Sequence, residues 1–178
     1  MTRTLVLGGV RSGKSAWAES LLDGADPVTH VATAPARDGD PDWATRVEAH
    51  RRRRPDGWVT VEAGGDPDLL FVALRTSTGA ILVDDLGNWL TASLDRAGAW
   101  DHPDGARTVD PAIEALVGAV TAFPAPLVLV SPEVGWGVLP ATRAGRVFTD
   151  AQGGLNQHVA TACDRVTLVV AGLPMTLK

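Results

Sequence analysis

A glycine-rich segment near the start of the chain has the residue types and the spacing of a loop that binds phosphate. It runs Gly8-Gly9-Val10-Arg11-Ser12-Gly13-Lys14-Ser15 and fits the pattern G-x-x-x-x-G-K-[ST]. Glycines let backbone N–H groups turn toward phosphate oxygens, and a helix that follows points its positive dipole end at the same anion. We therefore predict that Lys14 reaches the outer phosphates of a nucleotide and that the Ser15 hydroxyl group ligates Mg²⁺.

The neighbouring residues supply the strand and the helix that such a loop requires. The apolar run Thr4–Leu7 precedes the loop, and Ala16–Leu22 has the spacing of a helix. The chain has only two lysines, Lys14 and Lys178, so a lysine at this position of the loop is a specific signal. Together these features predict a nucleotide-binding fold.

Polar residues also stand where two other predicted strands end. Asp84 directly follows the apolar run Ile81–Val83, a pattern by which nucleotide-hydrolysing enzymes place a carboxylate near Mg²⁺. Thr33-Ala34-Pro35 ends the predicted strand Val28–Thr33. Ligands of open α/β sheets bind beyond the carboxyl ends of strands, so both places would lie on the rim that carries the phosphate loop. For Thr33-Ala34-Pro35, a plain turn is the other interpretation.

A histidine followed by a run of arginines suggests a nucleophile. Trp43, Val47 and His50 stand at i, i+4 and i+7, which places His50 on the apolar face of a predicted helix. The guanidinium groups of Arg51–Arg54 would keep the imidazole neutral, which is its nucleophilic form, and would also bind phosphate. The spacing leaves two other interpretations open: a half-buried structural histidine beside a solvated arginine run, or a nucleic-acid patch.

The segment Trp58–Glu62 alternates as a strand should. It puts Trp58, Thr60 and Glu62 on one face and the two valines on the other. That face would suit a base or a ribose, and an edge strand with an ordinary wet face fits the pattern equally well.

Bulk composition excludes several classes of protein. The 178 residues are enough for one domain, and the net charge of −5 with a pI near 5.3 argues against a general nucleic-acid binder. The single cysteine, Cys163, fits a reducing cytosol. The N-terminal apolar stretch is too short for a signal peptide or a membrane span. We expect a soluble, cytoplasmic protein.

Short apolar runs alternate with longer helical patterns along residues 1–178, which is typical of a single α/β domain with a mostly parallel sheet flanked by helices. The predicted strands are Thr4–Gly8, Val28–Thr33, Trp58–Glu62, Ala80–Asp84, Leu127–Ser131, Val166–Ala171 and Met175–Lys178. The predicted helices are Lys14–Leu22, Asp42–Arg53, Pro67–Thr76, Gly87–Arg96, Pro111–Ala122 and Thr142–Ala162.

These segments together resemble one family, the bifunctional adenosylcobinamide kinase/adenosylcobinamide-phosphate guanylyltransferases of cobalamin biosynthesis. The resemblance runs from the first strand to the last residues, and His50 ahead of Arg54-Pro55-x-x-Trp58-x-Thr60-x-Glu62 makes it specific. The other matching residues are Gly8–Ser15, Ala32-Thr33, Arg46–Arg51, Val83-Asp84, Glu133–Gly137, Arg143, Arg146, Phe148, Asp150, Gly153, Asn156-Gln157 and Ala171–Pro174.

The resemblance implies a P-loop NTPase fold related to the RecA-like class, often assembled as a homotrimer, with two activities. A kinase step transfers the terminal phosphoryl group of ATP or GTP to the aminopropanol hydroxyl group of adenosylcobinamide. In a second step His50 attacks the α-phosphate of GTP, releases pyrophosphate and passes GMP to adenosylcobinamide phosphate. The product is adenosylcobinamide-GDP.

The same matching implies which residues surround the nucleotide. His50 is then the catalytic residue, and Ser15 and Asp84 are the Mg²⁺ ligands. The nucleotide-binding residues are Gly8, Gly9, Val10, Arg11, Ser12, Gly13, Lys14, Ser15, Thr33, Ala34, Pro35, Arg53, Arg54, Pro55, Glu62 and Asp84. Glu133, Asn156 and Gln157 match the family without an assigned role.

The chain also departs from the family pattern. Many members carry Asp-Cys-Leu-Thr where this chain has Asp84-Asp85-Leu86-Gly87, so a hydroxyl group is missing beside the expected metal site. Pro132 stands where many members have asparagine, and Ala92 replaces another common asparagine. Two other functions remain open: a different P-loop small-molecule kinase with a structural His50, and a non-catalytic nucleotide-gated module that recruits a partner through Arg51–Arg54.

Overall fold

A mostly parallel sheet is the frame of the fold. The computed structural model describes residues 2–35, 55 and 57–178. Within these residues the strands are β1 (Arg3–Gly8), β2 (Val28–Ala32), β3 (Val59–Glu62), β4 (Ala80–Asp84), β5 (Leu127–Pro132), β6 (Arg165–Val170) and β7 (Leu173–Thr176). Their order across the sheet is β3-β2-β4-β5-β1-β6-β7, and β7 alone among these described strands runs antiparallel to its neighbour.

Helices connect the strands, as right-handed crossovers between parallel strands require. In the described part of the chain they are α1 (Lys14–Ser20), α2 (Asp68–Thr76), α3 (Leu86–Arg96), α4 (Asp110–Ala122) and α5 (Arg143–Ala162), with a 3₁₀ segment at Gly105–Val109. None of these helices is both long enough and apolar enough to cross a membrane.

Alternate residues of the central strands face opposite sides of the sheet. Leu5 and Leu7 of β1 pack into the larger core, to which α2, α3, α4 and α5 contribute. Val6, between them, packs in a smaller core with Ala18 of α1. Both faces of the strand are thus buried, which explains why the sequence of the central strands is apolar throughout.

The predicted α/β class and its mostly parallel sheet are confirmed. The bounds of β1 to β6 and of the described helices lie within two residues of the predicted ones. The predicted helix Asp42–Arg53 lies outside the described residues. The last strand was predicted two residues too late, because Ala171 and Gly172 adopt φ values of 52° and 78° and reverse the chain at once, so that pairing resumes at Leu173.

Arg3 and Asp164 join the starts of β1 and β6. The backbone N–H of Arg3 donates to Asp164 Oδ2 over 2.8 Å, and Arg3 Nη2 donates to Oδ1 over 3.1 Å. These hydrogen bonds favour the ionised carboxylate and lower the pKa of Asp164 from 3.8 to about 2. The bond from the Arg3 side chain has the largest effect, and the bond from the Arg3 backbone has the next largest.

We expect Asp164→Asn to lower the free energy of unfolding at pH 7, and we expect this loss to vanish as the pH falls toward 2. The native state lowers the pKa of Asp164, so the carboxylate stabilises the fold above about pH 4 and loses this contribution on protonation. Urea unfolding of wild type and variant between pH 7 and pH 2 measures the difference. Asp101→Asn, at an exposed position, is the control. If the free energy of unfolding differs between wild type and Asp164→Asn by the same amount at every pH, the carboxylate of Asp164 does not stabilise the fold through its charge.

Candidate nucleotide-binding site

Two backbone hydrogen bonds fasten the Gly8–Ser15 loop to the strands beside β1. The N–H group of Glu133, just beyond β5, donates to the carbonyl oxygen of Gly8 over 3.1 Å. The N–H group of Gly172, in the β6–β7 turn, donates to the carbonyl oxygen of Ser12 over 2.7 Å. Since β5 and β6 flank β1, the loop is held from both sides.

Glycine is required at two positions of the loop by close approach and by backbone conformation. A Cβ atom on Gly8 would lie 2.4 Å from Ser12 Oγ and 2.8 Å from the carbonyl oxygen of Val169. Gly13 has a φ of 94° and would bring a Cβ atom to 3.1 Å from Gly172 Cα. The loop therefore turns in a path that side chains at these two positions would obstruct.

Lys14 and Ser15 stand at the start of α1, where the loop ends. Lys14 Nζ lies 3.5 Å from the carbonyl oxygen of Gly9, so the side chain folds back over the loop. The Ser15 hydroxyl group donates to Asp84 Oδ1 over 3.2 Å, although β5 lies between β1, which leads into the loop, and β4, which ends in Asp84. The predicted pair of Ser15 and Asp84 is thus in contact.

The ends of β2, β3 and β4 lie side by side at one rim of the sheet, where the sequence predicted Thr33 and Asp84. Glu62 and Asp84 both stand opposite Ala32 in the register of the sheet. Thr33 is buried, and its hydroxyl group donates to the carbonyl oxygen of Asp85 over 2.6 Å. Its hydroxyl proton is therefore used to hold two strand ends together.

Ala34 and Pro35 pass close to the turn after β3. A Cβ atom on Gly64 would lie 2.3 Å from the carbonyl oxygen of Ala34 and 2.7 Å from Pro35 Cα. The predicted Thr33-Ala34-Pro35 turn therefore packs tightly against backbone that follows Glu62.

The candidate nucleophile and its arginines, His50, Arg53 and Arg54, lie outside the described residues. Pro55 is described, and its carbonyl oxygen accepts a hydrogen bond from the N–H group of Trp58 over 3.1 Å. This turn leads directly into β3, which ends in Glu62 at the rim.

Asp85 caps the helix that begins after β4. Its Oδ1 atom accepts hydrogen bonds of 3.1 Å from both the backbone N–H group and the side-chain amide of Asn88. Burial, and then the charge of Asp84, raise the pKa of Asp85. The aspartate that replaces the family's cysteine thus serves as an N-cap of α3.

Two departures from the family pattern, Gly87 and Pro132, occupy adjoining space. A Cβ atom on Gly87 would lie 2.7 Å from Pro132 Cγ and 3.1 Å from Pro132 Cδ. The proline ring fills the space that a threonine at position 87 would use. We infer that the two departures compensate one another sterically.

Sequence reasoning did not find two supports of the site, although both involve matched residues. Gly172, which the sequence analysis names only within the matching segment Ala171–Pro174, donates a hydrogen bond from its N–H group to the carbonyl oxygen of Ser12. Asn156 belongs to a buried polar network with Ser131 and Gln152 at the end of β5. The match to the family was the available signal for Gly172 and Asn156, and nothing in the pattern indicated Gln152.

A separate groove of about 570 Å³ lies between the 3₁₀ segment and α5. None of its lining residues belongs to the phosphate loop. Three arginines and three aspartates are among them, so the opposite charges are balanced: Arg107, Arg143, Arg146, Asp104, Asp110 and Asp150. The groove is therefore not an extension of the nucleotide site.

The fold is similar to that of solved P-loop ATPases. A prototypical ATPase from the type III secretion system of pathogenic bacteria matches with a TM-score of 0.63 at 14% identity, over 98% of this chain and 56% of that chain. This chain thus spans about half the length of that ATPase. A Pyrococcus horikoshii protein, from a structural study of Project ID PH0250, matches with a TM-score of 0.54 at 7% identity, over 99% and 86% of the two chains. The fold and the loop define the class, a P-loop NTPase fold.

The sequence comparison defines the family within this class. Residues 4–177 match the family described as CobU: Cobinamide kinase / cobinamide phosphate guanyltransferase. The bifunctional adenosylcobalamin biosynthesis protein CobP of Pseudomonas aeruginosa is 42% identical over 99% of this chain and 97% of its own. The corresponding protein CobU of Salmonella typhimurium is 37% identical over 98% of each chain. The chain belongs to this family and is a transferase.

Family membership confirms the resemblance and decides between the alternatives. A non-catalytic nucleotide-gated module and an unrelated small-molecule kinase are both set aside, because the match covers nearly the whole chain. The roles of the individual site residues remain predictions.

We expect Gly87→Ala to destabilise the protein by about 1–3 kcal/mol, because the new Cβ atom meets the Pro132 ring. Adding Pro132→Asn should restore much of the loss, which gives a favourable coupling of about 0.5–3 kcal/mol in a double-mutant cycle. Urea unfolding measures all four proteins. Gly118→Ala is the control, since nothing lies within 4 Å of its Cβ position, and it should stabilise α4 by about 0.5–1 kcal/mol. Additive effects of the two changes would contradict the compensation.

Proposed function

We propose that this chain phosphorylates the aminopropanol hydroxyl group of adenosylcobinamide with ATP or GTP. It then transfers GMP from GTP to adenosylcobinamide phosphate, which gives adenosylcobinamide-GDP. The proposal rests on an intact phosphate loop in which Ser15 Oγ lies 3.2 Å from Asp84 Oδ1. This loop occurs in a chain that matches a kinase and guanyltransferase family along its length. The same loop serves both steps.

In the kinase step the loop Gly8–Ser15 holds the triphosphate. Its backbone N–H groups and Lys14 bind the phosphate oxygens and offset the charge that develops on the transferred group. Thr33-Ala34-Pro35, Glu62 and Asp84 surround the rest of the nucleotide. Their positions at neighbouring strand ends support this assignment.

Ser15 and Asp84 fit Mg²⁺. Both offer hard oxygen donors, and they are 3.2 Å apart at the rim. No three histidine, cysteine, aspartate or glutamate side chains cluster around a common point in residues 2–35 and 57–178. An ion here would therefore complete its shell with nucleotide phosphates and water, as Mg²⁺ commonly does. When bound, it supplies positive charge to the transferring phosphate.

We expect Asp84→Asn to raise the Mg²⁺ concentration for half-maximal kinase activity by at least about tenfold, because a carboxylate is lost beside the ion. A titration of activity against Mg²⁺ at saturating nucleotide measures the shift. Asp23→Asn, an exposed aspartate after α1, should leave the Mg²⁺ dependence unchanged. If Asp84→Asn requires no more Mg²⁺ than wild type, Asp84 is not a metal ligand.

The guanylyltransferase step proceeds through His50. The imidazole forms a bond to the α-phosphorus of GTP while the bond to pyrophosphate breaks, and the GMP group then passes to adenosylcobinamide phosphate. The spacing of His50 ahead of Arg54-Pro55-x-x-Trp58 supports this role. So does the connectivity, because β2, the described strand that precedes His50 in the sequence, ends at the rim that carries the phosphate loop.

We expect GTP labelled at the α-phosphate to leave a covalent label on the wild-type protein that is acid-labile and alkali-stable. His50→Ala should carry no label and should retain kinase activity, since the phosphate loop is unchanged. Intact-protein mass spectrometry measures the adduct after the protein is denatured.

His158→Ala is the matched control, because this exposed histidine lies on α5 and should not affect labelling. A label that persists in His50→Ala would assign the nucleophile to another residue. Wild type without any label would contradict the histidine intermediate.

We also propose that copies of the chain assemble as a homotrimer and work in the cytoplasm. β7 is an outer strand of the sheet, and Leu173 and Met175 are 72% and 56% exposed, which favours cover by another chain. The number three comes from the family resemblance. The single cysteine, which is buried, fits a reducing compartment.

A further inference from the structure

The kinase step needs a group that accepts the proton of the attacking hydroxyl group. Carboxylates that stand at the end of β5, the strand beside β1, and at the end of β4, the next strand along the sheet, are the candidates. These are Asp84, Asp85 and Glu133. Their hydrogen bonds distinguish them.

Two of these carboxylates are committed to other contacts. Asp84 accepts the hydrogen bond from Ser15, where Mg²⁺ is proposed to bind. Asp85 accepts from the backbone and the side chain of Asn88 at the start of α3. Asp84 thus belongs to the proposed Mg²⁺ site, and Asp85 is held at the start of α3.

Glu133 differs in position and in its contacts. Its backbone N–H group donates to the carbonyl oxygen of Gly8, and its strand, β5, lies between β1 and β4. The half-buried side chain therefore starts between the phosphate loop and Asp84. Its Oε1 atom accepts from the N–H group of Gly135 over 2.7 Å, and Oε2 accepts no hydrogen bond from the described residues.

A buried amide network holds the backbone that precedes Glu133. Asn156 Nδ2 donates to the carbonyl oxygen of Pro132 over 3.0 Å. Asn156 Oδ1 accepts from the Ser131 hydroxyl group over 2.6 Å and from Gln152 Nε2 over 3.0 Å. Because Ser131 and Gln152 are fully buried, this network fixes the strand end on which the carboxylate stands.

We propose that Glu133 is the general base of the kinase step, and this inference rests on the proposal that Gly8–Ser15 holds the donor triphosphate. Glu133 takes the proton of the aminopropanol hydroxyl group. The hydroxyl oxygen forms a bond to the γ-phosphorus, and the bond from that phosphorus to the β–γ bridging oxygen breaks. The nucleoside diphosphate leaves with the electron pair, and the proton remains on Glu133 until solvent removes it.

The test is Glu133→Gln, which keeps an oxygen to accept from Gly135 and removes the basic charge. We expect kinase kcat to fall by about 10²–10⁴-fold. The dissociation constant of a fluorescent nucleotide, the thermal midpoint and the labelling by α-labelled GTP should stay at their wild-type values. Glu114→Gln, the same change at an exposed site on α4, should leave all four measurements unchanged.

Either of two results would overturn the role of Glu133. One is wild-type kinase turnover in Glu133→Gln. The other is a parallel fall in kinase turnover, nucleotide affinity and labelling, which marks a structural part in the site. If the wild-type protein phosphorylates adenosylcobinamide but forms no guanylylated histidine, the proposed transferase step fails, and the comparison of kinase rates still decides the role of Glu133.

Discussion

The phosphate loop keeps its path because carbonyl groups that turn outward from it are bonded to the ends of the neighbouring strands. The carbonyl oxygen of Gly8 accepts a hydrogen bond from the N–H group of Glu133, and that of Ser12 accepts one from the N–H group of Gly172. An unpaired backbone carbonyl group at a buried place would cost about 1–3 kcal/mol, so these bonds favour one conformation of the loop over others. A strand on each side of β1 therefore stabilises this path of the loop.

The strand order carries this constraint to the rest of the site. Since β5 separates β1 from β4, the Ser15 side chain at the start of α1 must reach across β5 to contact Asp84. The end of β5 therefore lies between the loop and Asp84. At this strand end a Cβ atom on Gly87 would meet the Pro132 ring.

The sequence predicted the elements well because their patterns are local. A few consecutive residues are enough to identify an apolar strand that is buried on both faces, or a glycine-rich turn before a helix. The sequence therefore predicts β1, α1 and the positions of Ser15 and Asp84. The hydrogen bond from Gly172 to Ser12 joins residues 160 positions apart, and the packing of Gly87 on Pro132 depends on two strand ends meeting. Neither contact produces a periodic pattern in the sequence. Gln152 was missed for the same reason, since a buried polar residue in a helix resembles a surface one in sequence.

The two proposed reactions attack different phosphorus atoms, the γ-phosphorus of the kinase donor and the α-phosphorus of a separate GTP molecule. Glu133 belongs to the strand next to β1, whereas the segment that carries His50 leaves from β2. Three strand spacings of about 4.8 Å place β2 about 14 Å from β1 along the rim. On the role proposed for Glu133, the hydroxyl group would therefore approach the triphosphate from above β5. The strand order thus puts the residue proposed for the kinase step at a different strand from the one after which the chain continues to His50.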